Sequence, residues 1–349
     1  MEMRYLLKII VFVVSVSILG LGATAFAEEK YVFKGATATL TTWPLGWGGK
    51  YFKEQIEKMT DKIEVQWFPG GQLGGEVQLM NQLQTGVIQF ATLSCAIMGN
   101  MNPKIMTMYT PYLIQSWDVF FNKWINSEGA KLIQNSLKKQ GLIGMGWIPY
   151  GFNALCYTDP PIRTLEEAKG RKFRSAEAYT IKGTLEALGI NAVPLPYTEV
   201  YQALQQKMVD GLTTPPASML LGRFDEVCKN ITLSNHLFGT HIFWVQEKAF
   251  NRLPSDLKDK FHKAVEAALS RAQKEQVTFD DDAVKKMQAK GIKAWQLSKS
   301  EHARWVKTTM RVLIEHEKRI DKASKDGRQF LRTVYKSLGR DYDKEVLGQ

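Results

Sequence analysis

The sequence lacks the motifs with which the common enzyme classes hold phosphates, metals and nucleophiles. G-x-S-x-G, the Walker A loop, H-E-x-x-H and C-x-x-C are absent, and residues 28–349 also lack G-x-G-x-x-G. Histidine is scarce, and the five histidines do not group at metal-ligand spacing: His236, His241, His262, His302 and His316. The sequence therefore predicts a protein that is not an enzyme, with no metal and no cofactor.

Cysteine is also scarce, with Cys95, Cys156 and Cys228 as the complete set. Three cysteines are too few for a disulfide scaffold, and an odd number leaves at least one thiol free or paired between chains. The sequence leaves two interpretations open. The cysteines are small buried apolar side chains, or one Cys95–Cys156 or Cys156–Cys228 bridge forms.

Long apolar runs are missing after residue 27, so no later segment is predicted to span a bilayer. The one apolar run, residues 9–22, follows the basic residues Arg4 and Lys8 and precedes Ala25-Phe26-Ala27. This pattern is typical of a secretory signal peptide, cleaved after Ala27, and predicts an exported protein. A membrane anchor is the alternative, but the run is shorter than the ~20 residues of a span.

Basic residues outnumber acidic ones. Loss of residues 1–27 removes Arg4, Lys8 and Glu2, which lowers the formal net charge from +11 to +10. A basic surface suits nucleic acids, anionic membranes or anionic ligands. Export argues against nucleic acid, and the charges are interspersed rather than clustered, which indicates solvated helix faces.

Strand-like and helix-like segments alternate along the chain, which predicts an α/β fold with a largely parallel sheet. The pattern indicates strands over 31–42, 62–68, 87–93 and 142–148, and helices over 49–59, 76–85 and 117–140. A helical stretch from Ser255 to Gly291 would reach about 54 Å at 1.5 Å per residue, long enough to straddle two domains.

The chain is long enough for two domains. No flexible linker is present, so we expect crossing strands and a hinge. The crossing falls near Pro149-Tyr150-Gly151. The predicted division places residues 28–150 and about 240–280 in domain I. Domain II takes residues 151–239 and about 281–349, including the C-terminal helices.

The most informative segment, residues 172–215, reads as a βαβα unit with Arg174 at the end of its first strand. Open α/β sheets bind ligands at the carboxyl ends of their strands. The forked guanidinium of arginine suits a carboxylate. An arginine at this position is therefore a candidate anchor for an organic acid, with a structural ion pair as the alternative.

This segment resembles the solute receptors of tripartite ATP-independent periplasmic (TRAP) transporters, the DctP-type family. The matching residues keep the order and spacing of the family pattern: Gly170-Arg171-Lys172-Phe173-Arg174, Leu188-Gly189, Pro194-Leu195-Pro196, Glu199-Val200-Tyr201, Ala203-Leu204-Gln205 and Val209-Asp210-Gly211. Upstream, Phe68–Gly74 and Glu76 are also similar to the family, and the resemblance covers nearly the whole chain after residue 27.

The resemblance implies a two-domain periplasmic binding protein fold with a central cleft, crossing strands and a long domain-spanning helix. It also implies a function. Such receptors capture an organic anion and deliver it to a membrane permease, which has a small and a large subunit and is driven by an ion gradient.

The resemblance also implies roles for single residues. Arg174 matches the arginine that holds the ligand carboxylate. Tyr197 stands where the family often places an aromatic against the ligand, although simple packing is the alternative. Glu76 either reaches a ligand hydroxyl or amine, or favours the helix N-terminus that it opens.

Two departures from the family pattern bear on the ligand. Thr214 occupies the position of an asparagine that helps to hold the carboxylate, and it offers one hydroxyl instead of an amide. Asn153 occupies the position of a second arginine that many members carry. Less positive charge is therefore available than a dicarboxylate or a sialic acid requires.

Trp43 and Trp47 flank the first turn from strand to helix, and further aromatics fall near strand ends. Each is a candidate for the core, but together they predict a flat apolar pocket. We therefore favour a monocarboxylate with an apolar or aromatic body, such as a 2-oxo or 2-hydroxy acid. The alternatives are a C4-dicarboxylate receptor, a protein that presents its ligand to a sensor, and a secreted enzyme that uses Glu76 or Cys95.

Overall fold

The computed structural model describes residues 30–40, 42 and 44–349. The predicted signal peptide, residues 1–27, and its cleavage site lie outside these residues. In the described part of the chain the strands form two separate sheets, one of five strands and one of six.

The first sheet has the order β2-β1-β3-β10-β4. Its strands are β1 (Tyr31–Ala36), β2 (Ile63–Phe68), β3 (Phe90–Ser94), β4 (Leu142–Phe152) and β10 (Phe238–Gln246). β1 pairs in parallel with β2 and β3, whereas β10 runs antiparallel to β3 and β4. The parallel β1–β2–β3 core therefore places the carboxyl ends of three strands at one edge.

The second sheet has the order β11-β9-β5-β8-β6-β7. Its strands are β5 (Ala154–Tyr157), β6 (Lys172–Ser175), β7 (Asn191–Pro194), β8 (Gly211–Thr214), β9 (Asn230–Leu233) and β11 (Lys293–Gln296). β6 is parallel to both of its neighbours, β7 and β8. The predicted βαβα unit thus forms, with Arg174 on its first strand.

The α-helices of the described residues connect these strands. They are α1 (Pro44–Met59), α2 (Glu76–Thr85), α3 (Cys95–Met98), α4 (Pro103–Met106), α5 (Glu128–Gln134), α6 (Leu165–Ala168), α7 (Tyr179–Ala187), α8 (Val200–Gln205), α9 (Pro216–Leu221), α10 (Glu247–Asn251), α11 (Ser255–Ala289), α12 (Lys299–Ser324) and α13 (Gly327–Ser337). Shorter 3₁₀ and π turns lie between several of them, including the 3₁₀ turn Thr107–Tyr109.

Two strand pairs carry the chain between the sheets. β4 of the first sheet and β5 of the second are separated by Asn153 alone, and β9 of the second leads into β10 of the first. The long helix α11 packs on α1 and β4 on one side and reaches α9 and β11 on the other. The expected α/β fold with crossing strands and a long spanning helix is confirmed.

The predicted helix over 117–140 is broken in the structure. A π-helical turn covers Val119–Trp124, and α5 starts afresh at Glu128. The break follows from Ser127, whose hydroxyl accepts a hydrogen bond from the backbone N–H of Ala130 and so caps a new helix.

The C-terminal helices pack on both sides of the cleft. α12 lies against α7 of the second sheet and also contacts α4, whereas α13 packs against α5. The side chains of Phe330, Leu331 and Val334 on α13 join the apolar core around Trp124. The division into two domains stays a prediction, and this packing is a reason to place α13 with the first sheet.

Candidate functional site

A cavity lies between the two sheets, where strand ends of both meet. It holds about 50 Å³ of space that the centre of a water molecule can reach. That is room for several waters or for a small ligand. Its walls are formed by Ala38, Thr39, Glu76, Ser94, Ala96, Tyr109, Tyr150, Asn153, Arg174, Ala176, Ile181, Tyr197, Thr213 and His241.

Arg174 supplies the cationic wall of the cavity. It is 7% exposed, and its Nε donates a hydrogen bond of 2.9 Å to the carbonyl oxygen of Leu195. Within the described residues its two terminal nitrogens donate no hydrogen bond, and it forms no ion pair with a carboxylate. Burial lowers the pKa of Arg174, but an arginine remains protonated. A buried guanidinium whose terminal nitrogens have no hydrogen-bond partner among the described residues is suited to bind an anion.

Glu76 supplies the opposite, acidic wall from the first residue of α2. One carboxylate oxygen accepts from the backbone N–H of Ser94 and the other from the Ser94 hydroxyl, both at 2.8 Å. Nε2 of His241 lies 3.4 Å from the first oxygen. Burial alone would raise the pKa of Glu76, but the contacts from His241 and Ser94 outweigh it and lower the pKa. Glu76 is therefore an anion in this wall.

His241 completes the acidic wall, and its Nδ1 is buried with no hydrogen-bond partner among the described residues. Asn153 is similar, because its amide group donates to the hydroxyl of Thr213 at 3.0 Å while its buried Oδ1 has no partner in the described part of the chain. The side chains of the cavity wall therefore include polar atoms that no described residue satisfies.

A second polar group is built around Tyr150 at the crossing strand β4. Its hydroxyl donates to Oγ of Ser218 at 2.9 Å and lies 3.1 Å from Oγ1 of Thr214. The hydroxyl of Tyr197 also bonds with Ser218. Burial raises the pKa of both tyrosines, so both are neutral phenols.

Behind Asn153, a hydrogen-bonded chain continues into the core. Oγ1 of Thr213 lies 2.8 Å from Nε2 of His236, and Nδ1 of His236 lies 2.7 Å from Oγ of Ser234. Burial lowers the pKa of His236 to about 3, so the imidazole is neutral. This chain fixes the orientation of Asn153 from behind.

Most of the predicted site residues lie in the cavity wall. Arg174, Asn153, Glu76 and Tyr197 line the cavity together, although they come from distant parts of the chain. Thr214 instead bonds to Tyr150, and its neighbour Thr213 is in the cavity wall. Successive strand residues point to opposite faces, so a shift of one position separates the two threonines.

Trp47 is not among the described residues of the cavity wall. Trp47 packs against Tyr51, with ring centroids 6.1 Å apart, at the edge of the core beneath α11. Trp43 lies outside the described residues. The aromatic rings of the cavity are instead Tyr109, Tyr150 and Tyr197. The roles of all these residues stay predictions.

Sequence reasoning missed His241, Ser94 and Tyr109. Ser94 is the last residue of β3, and a polar residue at the carboxyl end of a strand could have indicated a site residue. His241 carries no such signal, because it lies in the interior of strand β10 rather than at its end. Its distance from Glu76 depends on the pairing of β10 with β3, in which His241 opposes Ser94.

The cysteines offer no nucleophile. Cys95, Cys156 and Cys228 are buried and unbridged. Burial raises the pKa of Cys95 to about 12, and its sulfur accepts a hydrogen bond from Thr240. A thiol with such a pKa is protonated and unreactive at neutral pH. No group of His, Cys, Asp and Glu in the described part of the chain is arranged to hold a metal ion.

Two α/β lobes with crossing strands and a buried polar cavity between them define a binding protein that encloses its ligand. Residues 36–319 match the family model described as bacterial extracellular solute-binding protein, family 7. The chain belongs to this family, the DctP-type solute receptors of TRAP transporters. Members of the family are periplasmic substrate-binding proteins, not enzymes, that work with a TRAP permease.

Individual relatives show the same similarity along most of the chain. The C4-dicarboxylate-binding periplasmic protein DctP of Rhodobacter capsulatus is 27% identical over 305 residues, 86% of this chain and 91% of the relative. The sugar acid binding protein of Advenella mimigardefordensis, solved with galactonate, has 25% identity and a TM-score of 0.83, covering 88% of this chain and 99% of that one.

A third relative is a TRAP periplasmic solute binding protein of Sulfurospirillum deleyianum, solved with succinate. It has 27% identity and a TM-score of 0.81, and the match covers 88% of this chain and 98% of that one.

None of the helices in the described residues combines the length and the apolar character that a bilayer crossing requires.

Proposed function

We propose that this chain is a periplasmic receptor for a small organic acid with one carboxylate and a neighbouring hydroxyl or keto group. The observation that carries the proposal is Arg174, a buried guanidinium in the cavity wall with no carboxylate partner among the described residues. A ligand carboxylate would supply the missing charge through two parallel, charge-assisted hydrogen bonds. Tyr197 and Tyr150 lie near enough in the same wall to orient it.

The charges of the walls favour a monocarboxylate over a dicarboxylate. Arg174 is the single lysine or arginine in the described cavity wall, and the anionic Glu76 lines the same small cavity. A second ligand carboxylate would therefore meet a like charge in a site with little water to screen it. A hydroxyl fits better, because it can donate its one hydrogen bond to Asn153 Oδ1, which has no partner among the described residues. This favours a 2-hydroxy acid over a 2-oxo acid.

The size of the cavity restricts the ligand body. The space that the centre of a water molecule can reach is about 50 Å³, and the apolar surface comes from Tyr109, Ile181 and Ala176. We therefore propose a short aliphatic body. The described aromatic rings of the wall are Tyr109, Tyr150 and Tyr197, whereas Trp47 packs against the core beneath α11.

A C4-dicarboxylate is the second candidate. The relative from Rhodobacter capsulatus is named as C4-dicarboxylate-binding, and the protein of Sulfurospirillum deleyianum was solved with succinate. The galactonate complex of the Advenella protein is an example with a hydroxylated monocarboxylate. The choice between the two candidates for this chain rests on Glu76, which would repel the second carboxylate.

We further propose that the chain is exported by its N-terminal signal peptide, cleaved after Ala27, and hands its ligand to a permease with a small and a large membrane subunit. The N-terminal sequence and the family support this. Genes for two such membrane subunits beside the gene of this chain would support transport. Their absence would favour a receptor that presents the ligand to a sensor.

A thermal-shift panel followed by calorimetry tests the proposed ligand class. The panel contains C3–C6 2-hydroxy and 2-oxo monocarboxylates, their neutral amides, and C4-dicarboxylates. We expect the 2-hydroxy acids to raise the melting temperature most and the amides to have no effect. Stabilisation by C4-dicarboxylates alone would refute the monocarboxylate.

Glu76→Gln is the matched variant for this panel, because it removes the charge and keeps the shape. It should improve the affinity for dicarboxylates relative to monocarboxylates. If the dicarboxylates bind the native protein and Glu76→Gln leaves their affinity unchanged, the like-charge argument is wrong.

A further inference from the structure

A buried histidine outside the cavity joins the two sides of the cleft. His316 lies on α12, with no exposed surface. Its Nε2 lies 2.7 Å from Oγ1 of Thr107, and its Nδ1 lies 2.7 Å from the hydroxyl of Tyr179. Both nitrogens of one imidazole are thus used, each toward a different part of the molecule.

The two partners of His316 belong to opposite lobes. Thr107 starts the 3₁₀ turn Thr107–Tyr109, which packs against α3 and β10 of the first sheet. Tyr179 is the first residue of α7, which packs against β6 and β7 of the second sheet. A motion that opens the cleft changes the distance between these partners, so at least one of the two bonds breaks.

Tyr179 also belongs to a segment that touches the ligand cavity. Ala176 and Ile181, on either side of it, line the cavity, and Arg174 lies on the preceding strand. The guanidinium of Arg319 on α12 lies 4.2 Å from the centre of the Tyr179 ring. The start of α7 is therefore held by α12 on one side and faces the ligand on the other.

A second bond crosses the cleft at the same segment. The amide group of Asn100, which follows α3, donates to the carbonyl oxygen of Glu177 at 3.1 Å. The protonation of His316 suits its bridging role, because burial lowers its pKa to about 3 and leaves it neutral, with one donor and one acceptor nitrogen.

We infer that His316 is a closure latch, a positioning residue that links Thr107 and Tyr179 in the closed state and thereby sets the lifetime of the bound ligand. Contacts present in the closed state alone raise its population, and ligand affinity rises with that population. The inference rests on the proposed function for its ligand, but the bridge itself is defined without one.

The test removes each end of the bridge with little change in shape. Thr107→Val and Tyr179→Phe each delete one hydroxyl, and Thr309→Val is the matched control. Thr309 is also buried on α12, but its hydroxyl bonds to the carbonyl oxygen of Trp305 within the same helix. We expect Thr107→Val and Tyr179→Phe to speed ligand dissociation about 10-fold, as the loss of one buried hydrogen bond predicts, and Thr309→Val to leave it unchanged.

A merely structural role gives a different result. In that case all three variants lower the melting temperature of the free and the liganded protein equally, and the dissociation rate stays at the native value. That outcome would overturn the latch.

Hydrogen exchange tests the latch without a ligand, so a failure of the proposed function is distinguishable. In the unliganded protein, Thr107→Val should speed amide exchange in α7, on the opposite lobe, whereas Thr309→Val should not. If no acid in the panel binds, the proposed function is wrong, and the latch is decided by this measurement. Unchanged exchange in α7 would contradict it.

Discussion

At the residue scale, the burial of the Arg174 guanidinium is the feature that most directly indicates an anionic ligand. The sequence placed it at the end of a strand in an α/β unit, and the structure buries it in the cavity without a direct ion pair to any described carboxylate. Removing a guanidinium from water is unfavourable unless hydrogen bonds and charge replace the lost hydration. One bond to Leu195 does this in part, and a ligand carboxylate would do the rest.

Two buried histidines predict an acid-sensitive protein. Burial lowers the pKa of His236 and His316 to about 3, against an ordinary value of 6.5. Between these values the unfolded chain binds protons that the folded chain does not, so the free energy of unfolding falls as pH falls. We expect a loss of about 2 kcal/mol for each imidazole between pH 7 and pH 5. Urea unfolding at both pH values measures it.

The control for this prediction is a histidine at the surface. His236→Asn should reduce the loss of stability between pH 7 and pH 5, whereas the exposed His262→Asn should not change it. An equal pH dependence in the native protein and both variants would show that the buried imidazoles are not its source.

At the residue scale, sequence reasoning identified groups that carry their own signal and missed those that depend on strand pairing. Arg174, Asn153 and Glu76 stand at the ends of strands or helices, where a polar residue is conspicuous. Thr214 was predicted in the site, but Thr213, one position earlier in β8, lines the cavity. A strand of four residues is too short for its sequence pattern to show which face points inward. His241 depends on its pairing with β3, which is remote in sequence.

At the element scale, the crossing strand β4 packs closely against the long helix α11. Gly151 has a φ of +117°, and a β-carbon built there would lie 2.1 Å from Oδ2 of Asp280 on α11. Glycine is required both by the backbone conformation and by the close approach of the long helix. The hinge strand and the spanning helix are therefore fitted to each other at this point.

A pair of glycine substitutions separates these two requirements. Gly141 also has a positive φ, +75°, but a β-carbon there would meet nothing within 4 Å. Gly141→Ala should cost about 1 kcal/mol from backbone strain alone. Gly151→Ala should cost a further 1–3 kcal/mol or so, because it also displaces Asp280.

Chemical denaturation of both variants measures this difference. Equal losses of stability would mean that the Asp280 side chain moves aside freely. The close packing of α11 on the crossing strand would then contribute nothing to the free energy of unfolding.

The elements that the sequence predicted well are those with strong periodicity. α11 was expected from Ser255 to Gly291 and covers Ser255–Ala289, because its apolar positions recur at helical spacing over many turns. The helix predicted over 117–140 failed because apolar spacing alone does not show a cap inside a helical pattern. Local hydrogen bonding by Ser127 decided the outcome.

At the scale of the whole molecule, the structure places the two sheets on either side of one polar cavity, with α12 contacting both lobes. The general architecture followed from the alternation of strands and helices together with the family resemblance. The packing of α13 on α5 did not, because it joins segments about 200 residues apart whose apolar faces have no unique partner in the sequence.

Under the proposed function, the cleft couples ligand binding to closure of the protein. A ligand that bonds to Arg174 of one lobe and to the Glu76 wall of the other binds the closed state more tightly than the open one. The closed population therefore rises with ligand concentration, and the free energy of unfolding rises with it.

Titration calorimetry of Arg174→Ala against the native protein is the most direct test of the central claim that Arg174 anchors a ligand carboxylate. The titrant is the acid that stabilises the native protein most in the panel, and the melting temperature of the unliganded variant confirms that it is folded. We predict that the variant binds this acid at least about 100-fold more weakly, as the loss of a charge-assisted bidentate pair requires. Near-native affinity in a folded Arg174→Ala protein would contradict the account.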